Sequence, residues 1–236
     1  SGIDAIIYAF DHISRGYLNS IVAGGLEEIS YYSLLGLART GILSKSGNCR
    51  PFATDSDGIV MGEGCALFLL ETIESAQARN ATVLAEIVGV CSTFDPNAAF
   101  GDSIDSEAAA AAIKGAIEQA KISIDDIDFI ASGASGNRRS DSIEASAIKS
   151  IFGTKTPVTA YKALTGECYG ASGAIVTMCA LSDMKNGKIS GIGNTYSTIN
   201  EIPVVFDTIK KDISYALVTS VSCDGNCSAL VIKNIK

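Results

Sequence analysis

Apolar residues recur along the chain in two patterns, one with helical spacing and one of short unbroken runs. The helical spacing predicts helices at residues 3–15, 30–40, 74–79, 106–121, 141–152 and 166–184. Unbroken apolar runs predict strands at 20–23, 65–70, 81–92, 127–131, 158–161, 215–222 and 228–233, the first of which ends at Gly24-Gly25. Helices and strands therefore alternate over most of the chain, which is typical of an α/β protein.

Two of the predicted helices, at residues 3–15 and 166–184, are apolar on nearly all sides. A helix of this kind is expected to be buried, because it has no polar face to present to water. Small residues at 170–174 would let the second helix approach another backbone closely. The sequence thus predicts stacked layers in which helices lie between two sheets.

Composition excludes several classes of function. Hydrophobic residues make up 47% of the 236 residues, and 18 basic against 26 acidic side chains give a net charge of −8. No apolar run reaches the length of about 18 residues that a membrane span needs, and no basic stripe is available for phosphates. We therefore expect neither a membrane nor a nucleic acid as partner. The seven cysteines are scattered and mostly lie in apolar runs, as in a reduced cytoplasmic protein.

The histidine count narrows the chemistry further. His12 is the chain's only histidine, so a mechanism that needs two imidazoles and a multi-histidine zinc site are both excluded for this chain. His12 lies near the end of the first predicted helix, where a histidine is usually a surface or capping residue. The chain also begins at Ser1 rather than at Met, and we expect it to be part of a longer polypeptide.

Distinctive segments follow one another in a fixed order. They are SGIDAI at 1–6, VAGG at 22–25, RPF and DSDGIVMGEG within 50–64, IDFI and DSIE within 127–144, and KALTGE and GASGA within 162–174. In this order they resemble the β-ketoacyl synthases of fatty-acid and polyketide assembly, which share the thiolase fold. The resemblance implies the C-terminal portion of a thiolase-like layered α-β-α-β-α fold. Residues 1–80 would end the N-terminal half, and residues 81–236 would form the C-terminal half.

The resemblance also places the functional residues. In the family a cysteine nucleophile takes the acyl group, and two histidines assist the loss of CO₂ from malonyl units. The nucleophile position falls two residues before Ser1, and the two histidine positions hold Ser132 and Glu167. The resemblance implies an ion pair of Lys162 with Glu144 beside the site. Cys223 and Asp224 occupy the family's gating loop, so the implied pocket holds Ser132, Lys162 and Glu167, supported by Glu144, Cys223 and Asp224.

These replacements change the expected chemistry. An ionised Glu167 only accepts hydrogen bonds and repels a malonyl carboxylate, and Ser132 cannot carry positive charge. We therefore expect a non-condensing subunit, similar to the chain-length factors that pair with an active synthase. Two alternatives stay open: an acyltransferase that uses Glu167 as acid or base, and a scaffold that holds an acyl carrier protein.

The resemblance implies partners as well. They are the missing N-terminal half of the same fold, a ketosynthase-like subunit in a homo- or heterodimer, and an acyl carrier protein whose phosphopantetheine carries the substrates. No other cofactor and no metal is predicted.

Other polar residues receive structural interpretations. Cys223 and Cys227 could form a disulfide or bind a metal, but no histidine and no second cysteine pair lies near them, and we interpret them as structural. Arg138 and Arg139 could contact a phosphopantetheine phosphate, and we interpret them as residues of a solvated loop. Four aspartates are interpreted as helix-start and turn residues rather than as a metal site: Asp102, Asp105, Asp125 and Asp126.

Overall fold

A computed structural model describes residues 2–100, 105–195, 197–222 and 224–235, without the side chains of residues 99 and 100. The helices are α1 (Gly2–Ser14), α2 (Tyr31–Thr40), α3 (Ile73–Ala78), α4 (Glu107–Ala120), α5 (Arg138–Phe152), α6 (Lys162–Thr165) and α7 (Tyr169–Asn186). The strands are β1 (Ser20–Glu27), β2 (Gly64–Glu71), β3 (Ala85–Phe94), β4 (Phe129–Ala131), β5 (Val158–Thr159), β6 (Lys188–Ile189), β7 (Ile209–Lys210), β8 (Tyr215–Val221) and β9 (Asn226–Asn234).

A local capping residue marks where α5 begins. α5 begins at Arg138, three residues before the predicted start, because the Asn137 side chain accepts a hydrogen bond of 3.1 Å from Arg139 N. The prediction of one helix over 166–184 is wrong at its start. Residues 162–165 form the separate helix α6, and Gly166, with φ of +71°, turns the chain before α7 begins at Tyr169.

The first sheet is an antiparallel pair of β1 and β2, in register from Ser20 opposite Glu71 to Glu27 opposite Gly64. The predicted end of β1 at Ala23 is therefore wrong. The strand continues through Gly24 and pairs there with Leu67 of β2. The two strands lie so close at this point that a Cβ on residue 24 would lie 2.1 Å from the Ala66 carbonyl oxygen. Glycine here permits close pairing of the strands.

The second sheet has five strands in the order β3-β9-β8-β4-β5. β4 pairs in parallel with both β5 and β8, whereas β9 runs antiparallel to both β8 and β3. β4 thus lies inside the sheet, and the residues that follow its end emerge between β5 and β8. β6 and β7 form a separate pair that the apolar pattern does not predict.

The layers are stacked as predicted. α1 and α7 contact each other and both sheets, so they form the helical layer between β1-β2 and the five-stranded sheet. The small residues of α7 allow this approach, since a Cβ on Gly173 would lie 2.7 Å from Cβ of Ile3. α4 and α5 cover the other face of the five-stranded sheet, where Ile113 of α4 and Ile148 of α5 share an apolar cluster with Leu217. The predicted α/β class and thiolase-like layering are confirmed.

Within the described ranges, no helix is both long enough and apolar enough to cross a bilayer.

Candidate functional site

Ser132 directly follows β4, and its backbone N–H donates to the Thr159 carbonyl of β5 at 2.8 Å. The side chain is fully buried. Its hydroxyl donates to Oε1 of Glu144 at 2.8 Å and accepts from Ala134 N at 3.0 Å. The proton of this hydroxyl is therefore committed to Glu144 and is not directed toward a substrate.

Glu144 lies on α5 and is also fully buried. Its Oε1 accepts three hydrogen bonds, from Thr219 Oγ1 at 2.5 Å, from Ser132 Oγ and from Gly133 N at 3.1 Å. Within the described part of the chain, Oε2 has no hydrogen-bond partner. Burial raises the pKa of the Glu144 carboxyl, and the three donors and the charge of Lys162 oppose that rise.

Lys162 begins α6, and its Nζ donates to Oε2 of Glu167 at 2.7 Å. The expected ion pair of Lys162 with Glu144 is therefore wrong, because the ammonium group of Lys162 pairs with the carboxylate of Glu167 instead. Oε1 of Glu167 accepts from Ser172 Oγ at 2.5 Å and from Tyr169 N at 3.0 Å. Lys162 and Glu167 are 7% and 9% exposed, so this pair is almost closed to water.

The segment 60–64 fixes the backbone of Glu167. Glu167 N donates to the Val60 carbonyl at 2.7 Å, and Gly62 N donates to the Glu167 carbonyl at 3.0 Å. A Cβ on Gly62 would lie 2.1 Å from the Thr165 carbonyl oxygen. The glycine of this motif is needed for the close contact that positions Glu167.

Asp141 is a site residue to which the sequence assigned no role. Its carboxylate accepts hydrogen bonds from Phe52 N at 2.9 Å and from Ser135 N and Gly136 N, both at 3.0 Å. Burial raises the pKa of this carboxyl to about 7, against the effect of the three amide donors. Asp141 thereby joins the RPF segment to the loop after Ser132. The sequence signal that could have pointed to Asp141 is its position in the DSIE segment at 141–144, which resembles the family.

Of the expected gating-loop residues, Asp224 does not join this buried group. Cys223 lies outside the described residues. Asp224 is exposed, and its Oδ1 accepts from Asn226 N at 3.3 Å within the same turn. Cys227 is a buried free thiol whose pKa burial raises to about 12. The structure brings Ser132 together with Glu144 and Lys162 together with Glu167, and it leaves Asp224 at the surface.

Arg138 is exposed, in agreement with the solvated position expected from the sequence, but it begins α5 and does not lie in a loop. Its Nε donates to the Ser56 carbonyl at 2.7 Å, and its second guanidinium nitrogen donates to the Thr54 carbonyl at 2.9 Å. Both bonds attach the start of α5 to the segment after the RPF motif. Arg139 also makes an interaction, although its side chain is partly exposed.

The aspartates and His12 take structural positions. Asp105 accepts from Glu107 N at the start of α4, and Asp126 completes a capping box with Ser123, so both interpretations are confirmed. Asp125 lies in the same turn as Asp126, and Asp102 lies outside the described residues. His12 Nδ1 lies 3.0 Å from the Tyr8 carbonyl in the last turn of α1. Among the residues the structure describes, no three His, Cys, Asp or Glu side chains form a metal-binding group.

The sequence and the fold match one family in comparisons with known proteins. Two family models match, the β-ketoacyl synthase N-terminal domain at residues 1–76 and the C-terminal domain at residues 84–195. The chain belongs to the β-ketoacyl synthase family.

Individual relatives agree with this assignment. 3-Oxoacyl-[acyl-carrier-protein] synthase 2 of Staphylococcus aureus is 30% identical over 244 residues, which are 99% of this chain and 60% of that protein. The ishigamide ketosynthase/chain length factor matches at a TM-score of 0.92 and 26% identity, over 100% of this chain and 59% of that chain. A structure of a type II PKS acyl-carrier protein in complex with its ketosynthase matches at a TM-score of 0.90 and 25% identity, over 99% of this chain and 60% of that chain. The chain thus spans about 60% of the length of these relatives.

Proposed function

We propose that this chain belongs to a non-condensing, chain-length-factor-like subunit of fatty-acid or polyketide-type acyl chain assembly. One observation carries the proposal: both positions that hold histidine in condensing members are committed to internal hydrogen bonds. Ser132 donates to Glu144, and Glu167 accepts from Lys162, Ser172 and Tyr169 N. A catalytic group must have its donor or acceptor free to meet the reacting atoms.

The chemistry of decarboxylation gives a second argument for the proposal. The enolate that forms when malonyl loses CO₂ needs hydrogen-bond donors or positive charge at its oxygen. Glu167 offers only acceptor oxygens when ionised, and one of these oxygens already pairs with the ammonium group of Lys162. The same geometry disfavours the acyltransferase alternative, because a carboxylate that already accepts three hydrogen bonds is a poor general base.

Exposed apolar residues support the proposed protein partners. Val22 and Leu26 on β1 and Leu67 and Leu69 on β2 share one face of the first sheet and are 50–69% exposed. No residue of α2 is buried. Apolar patches of this kind mark interaction surfaces.

Comparison of the two sheets favours further strands beside the first one. The order α7, β8, β9 repeats the order α1, β1, β2, and β8 and β9 are flanked by β4 and β3. We propose that the rest of the same fold covers β1 and β2, and that a ketosynthase-like subunit and an acyl carrier protein bind the complete protein. The substrates would be carried on the phosphopantetheine of that carrier protein.

Release of CO₂ from malonyl carrier protein by the complete protein tests this function. We expect no release above background, and we expect the double variant S132H/E167H to bind the malonyl thioester more tightly than either single variant does. Turnover of about 1 per second or faster by the unmodified protein would contradict the proposal. Acylation of the unmodified protein without CO₂ release would favour the acyltransferase instead.

A further inference from the structure

Polar side chains from α1, β3 and β9 form a closed ring of contacts that the candidate site does not include. Asp4 Oδ1 accepts a hydrogen bond from Ser228 Oγ at 2.5 Å, and Asp4 Oδ2 accepts from Asn226 Nδ2 at 3.0 Å. Ser92 Oγ closes the ring, since it lies 3.2 Å from Ser228 Oγ and 3.4 Å from Asn226 Oδ1. Asp4 thereby joins the first turn of α1 to the start of β9.

The Asp4 carboxylate determines how its partners are oriented. A carboxylate accepts hydrogen bonds and donates none, so Asn226 turns its NH₂ group and Ser228 turns its proton toward Asp4. The proton of Ser92 is then left for Ser228 Oγ or for Asn226 Oδ1. Ser228 is 2% exposed, so its hydroxyl depends on Asp4 rather than on water for an acceptor.

Asn226 also closes the turn between β8 and β9. Ser222 N donates to the Asn226 carbonyl at 2.9 Å, and Gly225 N donates to the Ser222 carbonyl at 3.1 Å. Asp95 N donates to the Gly225 carbonyl at 2.9 Å, and a Cβ on Gly225 would lie 2.4 Å from the Asp95 carbonyl oxygen. The position of this turn therefore depends on where Asn226 is held.

We propose that Asp4 is a positioning residue, which fixes the turn between β8 and β9 relative to α1 through its hydrogen bonds to Asn226 and Ser228. The turn continues a strand of the candidate site, because Thr219 of β8 donates to Glu144. Asp4 thus connects the start of α1 to the end of that strand. This inference rests on the hydrogen bonds alone and holds whether or not the proposed function is correct.

The competing explanation of Asp4 is its charge, since an acidic residue in the first turn of a helix stabilises that helix through the helix dipole. The variant D4N separates the two. Its amide oxygen can accept from Ser228, and its NH₂ group can donate to Asn226 Oδ1 once the Asn226 amide rotates. The Asn226 NH₂ group then faces Ser92 Oγ, which can accept. D4N therefore keeps the ring and loses the charge, whereas D4L loses both.

Amide hydrogen exchange of the complete protein, followed by mass spectrometry, tests the proposal. We expect the amides of residues 224–228 to exchange at least about tenfold faster in D4L than in the unmodified protein. In D4N they should exchange as in the unmodified protein. D11L is the matched control, because it removes an aspartate from the last turn of the same helix, and it should leave these amides unchanged. Unchanged exchange in D4L, or equally fast exchange in D4N and D4L, would overturn the proposal.

Thiol labelling gives a second measurement that separates a local effect from general unfolding. Cys227 lies between Asn226 and Ser228 and is 3% exposed, whereas Cys49 is 6% exposed in another part of the chain. We expect D4L to accelerate labelling of Cys227 at least about tenfold more than labelling of Cys49. Equal acceleration of both thiols would show general destabilisation and would contradict a positioning role. S228A, which removes one of the two bonds and keeps the charge of Asp4, replaces D4L in both measurements if D4L does not fold.

Discussion

The Tyr161 hydroxyl donates to Oδ2 of Asp183 at 2.7 Å, and both side chains are buried. Ser190 donates its N–H and its hydroxyl to the same carboxylate, at 2.6 and 2.8 Å. Tyr161 directly precedes Lys162, and Asp183 lies in the last turn of α7, so this contact joins the site helix α6 to the end of α7. Burial, followed by the charge of Asp183, raises the pKa of Tyr161 and keeps the phenol protonated.

Replacement of Asp183 by alanine is expected to lower the free energy of unfolding by about 3 kcal/mol or more. The reason is that the buried Tyr161 hydroxyl and the half-buried Ser190 donors would lose their acceptor, and a buried donor without an acceptor costs about 1–3 kcal/mol. Urea unfolding measures the change. Asp207→Ala, at an exposed position, is the control and should change stability by less than about 0.5 kcal/mol. Equal effects of the two substitutions would show that the Asp183 cluster does not stabilise the fold.

Gly62→Ala is expected to destabilise the protein by about 2 kcal/mol or more. Its Cβ would lie 2.1 Å from the Thr165 carbonyl oxygen, and only a backbone shift can relieve that contact. Gly36→Ala is the matched control, because Gly36 lies in α2 with no atom within 4 Å of the added Cβ. Alanine favours a helix over glycine by about 1 kcal/mol, so the control should be neutral or stabilising. Thermal unfolding of both variants decides the matter, and a neutral G62A would refute this account of the motif.

Stability should fall as pH rises from 5 to 8. Burial raises the pKa of Asp141 to about 7 and also raises that of Glu144. A carboxyl whose pKa is higher in the folded than in the unfolded protein contributes stability fully below about pH 4, and this contribution is lost as pH rises through the folded pKa. Urea unfolding at closely spaced pH values measures the slope.

One variant is the control for this slope. Asp141→Asn should be less stable throughout, because one amide oxygen cannot accept all three amide donors, and its profile should be flatter. Stability that rises with pH across this window in the unmodified protein is the result that excludes a raised pKa at Asp141.

Cysteine labelling tests whether the apolar face of the first sheet is covered in the complete protein. Cys65 lies on this face beside Leu67 and Leu69, and it is exposed in the described chain. Cys49 and Cys227 are buried, and burial raises the pKa of both thiols to about 12, so they should react only when the protein unfolds. We expect Cys65 to be protected in the complete protein. Rapid reaction of Cys65 under native conditions would contradict the proposed interface.

The sequence by itself determined most of the elements, the layered α/β class and the family. Periodicity reports burial of a helix or strand face, and the motif at 50–64 combines glycines and polar residues in a distinctive order. Both signals are local, because they follow from neighbouring positions along the chain. Buried α7 was predicted in this way, although its first turn was placed three residues too early.

Only the tertiary structure decided the ends of β1, the presence of β6 and β7, and the partner of Lys162. β1 continues through Gly24 because β2 lies against it, and two-residue strands such as β6 are too short to show alternation. The resemblance implied Glu144 as the partner of Lys162, whereas the structure pairs Lys162 with Glu167, whose other oxygen accepts hydrogen bonds from Ser172 and Tyr169. Those bonds depend on how α5, α6 and α7 are placed relative to one another. This placement cannot be read from local patterns along the sequence.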